Sequence, residues 1–178
     1  MPQRMWAMLT IGLAITVSVL DSSIANVALP TIAGDMSASP ATAIWIVNAY
    51  QLAIVMTLLP LAALGEIYEY RRVYRVGLAV CTIASVACAL AKTIRGLRLA
   101  LVLQGLGAAG IMSVNAALVR FTYPHAMLGR GIGLNALVVA VSAALGPTVA
   151  SAILSVGTWP YLFAINIPLG VATLALGW

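Results

Sequence analysis

The residue whose type and position could most directly do chemistry is Asp21, an acid inside the first apolar stretch of the chain. It lies fifteen residues after Trp6, which corresponds to about 22 Å along a helix axis. A carboxylate at that depth in a bilayer is costly, so it normally faces a water-filled cavity or a polar partner. We therefore predict that Asp21 binds and releases a proton or senses a cation. The alternative is a structural acid near the outer mouth, hydrogen-bonded to Ser22 and Ser23.

Other polar side chains are scattered through the apolar stretches and could line a substrate cavity. Each of them could instead form a hydrogen bond between helices, because a polar group in lipid needs a partner. The sequence leaves both interpretations open. The candidates for the cavity are Asn26, Asn48, Tyr50, Gln51, Gln104, Asn115 and Asn135.

A second group of candidates lies in the charged segment between the second and third apolar stretches. Glu66 and Glu69 precede Arg71 and Arg72 there. Acids followed by a basic pair, at a turn between membrane helices, could form an interhelical charge lock that takes part in gating. Loop solubility and the topology signal of cytoplasmic arginines explain the same four residues equally well.

The fifth apolar stretch combines a proline with small residues. Gly146 and Pro147 lie in its middle, where proline removes a backbone hydrogen bond and glycine allows a neighbouring helix to come close. Ser142, Gly146 and Ala150 follow at intervals of four and share one helix face, which is typical of helix packing in membranes. The pattern indicates a packing element or a moving one.

The sequence shows no arrangement of residues for catalysis or metal binding. Cys81 and Cys88 are seven residues apart on one helix face, so the geometry of a disulfide between them is out of reach. Metal-ligand spacing is also lacking. We expect a protein that is not an enzyme and that carries neither a metal nor a cofactor.

These residues belong to a chain whose composition requires lipid around it. Of its 178 residues, 63% are hydrophobic and 7% are charged, and the mean hydropathy is +1.08. A soluble domain usually has about 25% charged residues because its surface faces water. The net charge of +5 falls in short clusters between apolar stretches, as in the loops of membrane proteins. This distribution predicts lipid as the partner of the surface and argues against nucleic-acid binding.

Six apolar stretches reach the roughly 20 residues that a helix needs to cross a bilayer. We predict an all-α integral membrane domain with six transmembrane helices, over residues 6–30, 42–64, 74–92, 97–120, 131–156 and 159–178. Six of the nine Lys and Arg residues fall on the side that holds both termini, and three fall on the other. The excess predicts a multi-pass protein of the cell (plasma or inner) membrane with both termini in the cytoplasm.

Several runs together resemble the amino-terminal half of the major facilitator superfamily, and within it the fourteen-helix drug/proton antiporters. The resemblance extends over nearly the whole chain, in the family's order. The runs that carry it are Leu20–Pro30, Trp45–Tyr50, Leu103–Ala109, the fifth-helix set of Gly133, Ser142, Gly146, Pro147, Ala150 and Ser151, and Phe163–Gly170.

The resemblance implies efflux of lipophilic, often cationic, drug-like compounds coupled to protons, with Asp21 in the proton-linked site. Two departures stand out. In the loop motif, Glu66 stands for the family's Asp and Glu69 for its Gly. In the fourth helix, Leu101 stands where the family has an Arg tied to proton coupling, and Arg98 lies one turn earlier.

Six helices are half of the superfamily's architecture, whose two halves share one orientation in the membrane. A parallel homodimer could rebuild the twelve-helix arrangement, because such a pair has two-fold symmetry. We therefore expect a transporter or half-transporter that exports drug-like compounds as a homodimer. The alternative is a truncated, non-transporting homologue that binds a ligand or partner only; Glu69 and Leu101 favour it.

Overall fold

The computed structural model describes residues 2–124 and 127–176, and every regular element in those two ranges is a helix. The prediction of an all-α fold is therefore confirmed. The elements are α1 (Pro2–Asp35), α2 (Pro40–Tyr68), α3 (Tyr70–Ala89), α4 (Ile94–Thr122), α5 (Leu128–Val156), α6 (Pro160–Ala164) and α7 (Asn166–Leu176).

Helices α1 to α5 are each long and apolar enough to cross a membrane. The sixth apolar segment, Pro160–Leu176, is shorter, and it is divided into α6 and α7 at Ile165. Pro168 explains the division, because it lacks an N–H and its ring would clash with the carbonyl of the residue four before it. We predicted one unbroken span over residues 159–178, of which residues 177 and 178 lie outside the described ranges.

Local capping determines where two of the long helices begin. Ser39 precedes α2, where its Oγ accepts a hydrogen bond from the Thr42 backbone N–H at 3.2 Å. Thr93 precedes α4, where its Oγ1 accepts one from the Gly96 N–H at 3.1 Å. Such side chains satisfy N–H groups that a helix start leaves without a partner. Pro40 in the first turn of α2 adds a residue whose backbone is already suited to a helix start.

Close packing in the bundle depends on small residues. Gly77 of α3 faces Gly107 and Gly110 of α4, so that the two backbones are nearly in contact. Helix α5 approaches α1 in the same way at Gly146, where an added Cβ would lie 2.5 Å from the Cβ of Ser23. Tyr74 links α3 to α1 by donating its hydroxyl to the Thr10 carbonyl at 2.8 Å. Contacts of this kind hold helices together where lipid removes the hydrophobic driving force.

The buried apolar side chains form two clusters, one at each end of the bundle. Along α1, one cluster includes Val17 and the other includes Ala28, with Asp21 between them. Along α4, Leu101 and Ile111 belong to different clusters, with Gln104 between them. A layer of polar side chains therefore separates two apolar layers near the middle of the bundle.

Gly107 provides a direct test of the α3–α4 contact. A Cβ added there would lie 2.5 Å from the backbone nitrogen of Cys81 and 2.8 Å from the Gly77 carbonyl oxygen. Backbone atoms cannot move aside as a flexible side chain can, so Gly107→Ala should lower the free energy of unfolding by about 1–3 kcal/mol. Denaturation in mixed SDS micelles, followed by circular dichroism, measures the loss.

Gly133→Ala is the matched control, because nothing lies within 4 Å of a Cβ added at that position of α5. The control should leave stability unchanged or raise it by up to about 1 kcal/mol through better helix propensity. Equal losses in the two variants would show that the α3–α4 contact is looser than described.

Candidate functional site

Asp21 is the centre of the candidate site. Its side chain is buried, with 2% exposed. Asn166, the first residue of α7, donates its Nδ2 hydrogen to Asp21 Oδ1. The Cys81 thiol of α3 donates to Oδ2 at 3.3 Å. The carboxylate of α1 thus bonds to side chains of two other helices.

The neighbouring polar layer continues through Gln104 of α4, whose side-chain amide also faces Asp21. Gln104 Nε2 donates to Ser85 Oγ at 3.3 Å, and its Oε1 accepts from the Cys88 thiol at 3.1 Å. Ser85 in turn donates to the Cys81 carbonyl at 2.9 Å. These links join α3 to α4 at the level of the carboxylate.

Two buried polar atoms at this level have no hydrogen-bond partner within the described ranges. One is the hydroxyl of Tyr50, which α2 contributes and whose side chain is 1% exposed. The other is Oδ1 of Asn166. A buried polar group without a partner is unusual and carries a free-energy cost, so it calls for a physical explanation. The polar layer therefore has acceptor and donor capacity that the present arrangement does not use.

The partners of Asp21 in the described part of the chain are all neutral. Leu101, where the resemblance would place an Arg, is buried in the apolar cluster next to this layer. The serine partners that we considered for Asp21 are not the ones it has, because Ser22 donates its hydroxyl hydrogen to the Val19 carbonyl at 2.9 Å and Ser23 packs against Gly146. Asp21 is enclosed in the bundle.

The structure brings two of the seven predicted cavity residues, Tyr50 and Gln104, to the level of Asp21, and it places the other five elsewhere. Asn26 is exposed and donates to the Ser22 carbonyl of its own helix at 2.8 Å. Asn48 and Gln51 are exposed on α2, and Asn135 is half-buried on α5. Asn115 is buried further along α4, and its Oδ1 has no partner among the described residues.

Four members of the site were not among the predicted site residues. Ser85, Cys81 and Cys88 lie three to four residues apart on one face of α3, and we interpreted the two cysteines as small buried apolar residues. The spacing of the three was the available signal, since each can donate a weak or moderate hydrogen bond. Asn166 appeared in the sequence analysis only as part of Phe163–Gly170, the sixth-helix run that resembles the family, and was given no role of its own.

The fifth-helix candidates divide between the interior and the surface. Ser142 and Gly146 are buried, together with Ala150 on the same face, and Ser142 donates to Thr16 Oγ1 of α1 at 3.2 Å. Gly133 and Pro147 are exposed. Helix α5 therefore contributes packing against α1 and no side chain that bonds to Asp21.

The loop candidates Glu66, Glu69, Arg71 and Arg72 are all exposed at the end of the bundle where α2 meets α3. Glu69 is the one residue between these helices, and its backbone has φ 75° and ψ 130°. Its carbonyl accepts the Arg72 N–H at 3.0 Å. A side chain in the left-handed half of the backbone map is strained, which is why such turns favour glycine.

Replacing Glu69 with glycine should therefore stabilise the protein. Glu69→Gly relieves a backbone conformation that costs about 1–3 kcal/mol, offset in part by the greater freedom of glycine in the unfolded chain. We expect the free energy of unfolding to rise by about 1 kcal/mol. Glu69→Ala keeps the Cβ and removes the charge, so it should give no such gain. A gain that is equal in both variants would assign the effect to the charge.

Comparisons with known proteins identify what this bundle is similar to. Residues 11–178 match the family profile described as Major Facilitator Superfamily. The chain is 54% identical over 176 residues to the uncharacterized transporter YebQ of Escherichia coli, covering 99% of this chain and 38% of that protein. It is 32% identical to the riboflavin transporter RibZ of Clostridioides difficile, with 99% and 39% covered.

A third relative is the tetracenomycin C resistance and export protein of Streptomyces glaucescens, 33% identical over 98% of this chain and 32% of that protein. The fold matches a solved bacterial homologue of the human lysosomal transporter Spinster, in an inward-facing and unoccupied conformation. That match has a TM-score of 0.76 and 18% identity, over 99% of this chain and 42% of the other. The chain thus spans about two fifths or less of the proteins it resembles.

Proposed function

Because the chain belongs to the major facilitator superfamily, we propose that it is a transporter domain that exports lipophilic or cationic drug-like compounds in exchange for protons. Asp21 is the group that takes up and releases the proton. The superfamily fold itself is that of a membrane transporter. The observation that carries the finer proposal is a buried carboxyl group whose described partners are all neutral.

The two protonation states of Asp21 need different hydrogen bonds. A carboxylate only accepts, and it now accepts from Asn166 and Cys81. A protonated carboxyl group must donate one bond. The buried Oδ1 of Asn166 has no partner in the described structure. If the amide group rotates by half a turn, this oxygen can accept the hydrogen bond that the protonated carboxyl group donates. Proton uptake thus exchanges one satisfied arrangement of Asp21 and Asn166 for another.

This change of hydrogen bonds at Asp21 would affect the contacts of several helices. Asn166 begins α7, Cys81 belongs to α3, and Cys81 is linked through Ser85 to Gln104 of α4. Buried polar networks of this kind couple their members, because the loss of one bond leaves another group without a partner. A change in the proton state of Asp21 therefore favours a different packing of α1, α3, α4 and α7, which is what coupling requires.

The substrate class is supported more loosely than the proton site. One relative is named as a resistance and export protein and another as a riboflavin transporter. Both names describe the transport of organic molecules across a membrane. We propose drug-like compounds, because the outward surfaces of α2 and α5 combine large apolar side chains with the exposed Asn48 and Gln51 and the half-buried Asn135.

The test is uptake of a cationic dye into proteoliposomes driven by a pH gradient. The native chain should move the dye, and Asp21→Asn should abolish gradient-driven movement because the amide cannot release a proton. Asp35→Asn is the matched control, since Asp35 is the exposed acid at the end of the same helix. It should retain movement. Equal movement in native chain and Asp21→Asn would remove Asp21 from the proposal.

The second candidate function is a non-transporting homologue that binds a ligand or partner only. Two observations favour it: Leu101 contributes no charge to the polar layer, and Glu69 strains the α2–α3 turn. Saturable dye binding by the native chain, without any movement down or against the pH gradient, would support this candidate. The same result would overturn transport by the chain on its own.

We propose that the protein lies in the cell membrane with both termini in the cytoplasm. The distribution of Lys and Arg supports this orientation. Cys81 and Cys88 are fully buried, so single cysteines can be added without background from them. A membrane-impermeant maleimide should label Lys92→Cys in intact cells and leave Glu69→Cys unlabelled until the cells are opened. The reverse pattern would invert the orientation.

We propose further that the chain forms a parallel homodimer. Support comes from α2 and α5, whose outward faces expose large apolar side chains, including Leu59 and Leu137. Such a pair would place the two bundles in the mutual orientation that the halves of a superfamily transporter have. Mass measurement in detergent and in lipid, over a range of protein concentrations, should show a dimer. Monomer at every concentration would remove this part of the proposal.

A further inference from the structure

A cavity lies outside the polar layer, at the end of the bundle where α2 and α4 begin. It has a volume of about 380 Å³. One face of α2 lines it with Ala41, Thr42, Trp45 and Ala49, and α4 contributes Arg98. The small side chains of Ala41 and Ala49 leave room for the cavity, and Arg98 is the charged residue among those that line it. None of these residues belongs to the Asp21 site.

Arg98 has hydrogen-bonding capacity that the described structure does not use. The side chain is half-buried, and its Nε is shielded from the surroundings without a partner among the described residues. Burying an N–H of a cation with nothing to accept it is costly. Arg98 also lines the cavity, so an oxyanion bound there would lie beside the guanidinium charge and would supply the missing acceptor once the side chain turns its Nε toward the cavity. Guanidinium groups bind phosphate and carboxylate well because their donors form a fork.

The position of the cavity fits the headgroup layer of a membrane. Arg98 lies four residues after the start of α4 and Trp45 five residues after the start of α2, so both are about 6–8 Å from a helix end. Lys92 and Arg95 are exposed at the same end. Asp35, where α1 ends, is the acid on this side, and it is exposed. The local charge thus favours an anion at the depth of lipid phosphates.

The surface around the cavity indicates that the anion carries an apolar tail. Leu99, next to Arg98, is 72% exposed, and Ile44, next to Trp45, is 53% exposed. Trp45 itself is 61% exposed. If a phospholipid headgroup fills the cavity, its acyl chains would begin against these side chains, near the starts of α2 and α4. A lipid matches both the charge inside the cavity and the apolar surface outside it.

We propose that this cavity binds the phosphate group of an anionic membrane phospholipid, with Arg98 as the donor and Trp45 beside the start of the acyl chains. The site is independent of the proposed proton exchange at Asp21. It would anchor the α2–α4 end of the bundle in a leaflet that contains acidic lipid. It gives a role to Arg98, one of the three cations at the end of the bundle that the orientation argument assigns to the outside.

The test is a titration of the purified chain in neutral detergent with phosphatidylglycerol, in parallel with phosphatidylcholine. Native mass spectrometry counts the bound lipid and yields its apparent Kd. Phosphatidylglycerol should bind more tightly than phosphatidylcholine. Arg98→Gln should weaken its binding about tenfold or more, because a charge-assisted hydrogen bond is lost. Arg95→Gln, an exposed cation that does not line the cavity, should change the Kd less than about twofold.

A second variant keeps Arg98 and closes the cavity. Ala49→Leu should weaken phosphatidylglycerol binding to a similar extent, and it serves as the test if Arg98→Gln does not fold. Equal losses in Arg98→Gln and Arg95→Gln would indicate diffuse attraction to the surface and overturn the site. Full competition by inorganic phosphate at matched concentration would assign the cavity to a free anion and overturn the lipid proposal. Unchanged binding in Ala49→Leu would place the lipid elsewhere.

Discussion

The burial of the Asp21 carboxyl group among neutral donors is the constraint on which the rest of this bundle depends. A carboxylate that is 2% exposed and lies between two apolar layers needs hydrogen-bond donors from neighbouring side chains. Its donors lie on α3 and α7, with α4 joined to them through Gln104. The positions of these helices relative to α1 are therefore interdependent, and the proton state of one residue bears on all of them.

Small residues allow the helices around Asp21 to come close enough for these hydrogen bonds. The Cys81 thiol is a short side chain that bonds to the carboxylate, and glycines at the α3–α4 contact let the backbones of these two helices lie nearly in contact beside it. Helices α2 and α5 also meet their neighbours at glycines, α2 at Gly105 of α4 and α5 through its own Gly146, but much of the remaining surface of both helices is exposed. The bundle thus has a tightly packed centre formed by α1, α3 and α4, and two outer helices available for contacts with lipid, substrate or a second bundle.

The fold followed from the sequence more completely than the site did. Hydropathy identifies membrane helices because each must satisfy its own backbone in lipid, and Asp21 was identifiable because an acid is rare at that depth. The rotation of each helix was not readable, because a span that is apolar on every side has no polar face to mark its orientation. Asn48 and Gln51 were consequently grouped with Gln104, although the structure leaves them exposed and buries Gln104. Cys81 was missed because a thiol counts as apolar until an acceptor is placed beside it.

The interruption at Ile165 has a mechanical consequence. In a continuous helix, the position of Asn166 would be fixed by the stiffness of the whole segment. Here Pro168 removes one backbone hydrogen bond, while Ile165 keeps the helical angles φ −65° and ψ −25°. Asn166 therefore lies beside a gap in the backbone hydrogen bonds, within a segment that otherwise follows a helix. Prolines are the places where helices bend most often, so the bond between Asn166 and Asp21 lies where α6 and α7 would bend relative to each other.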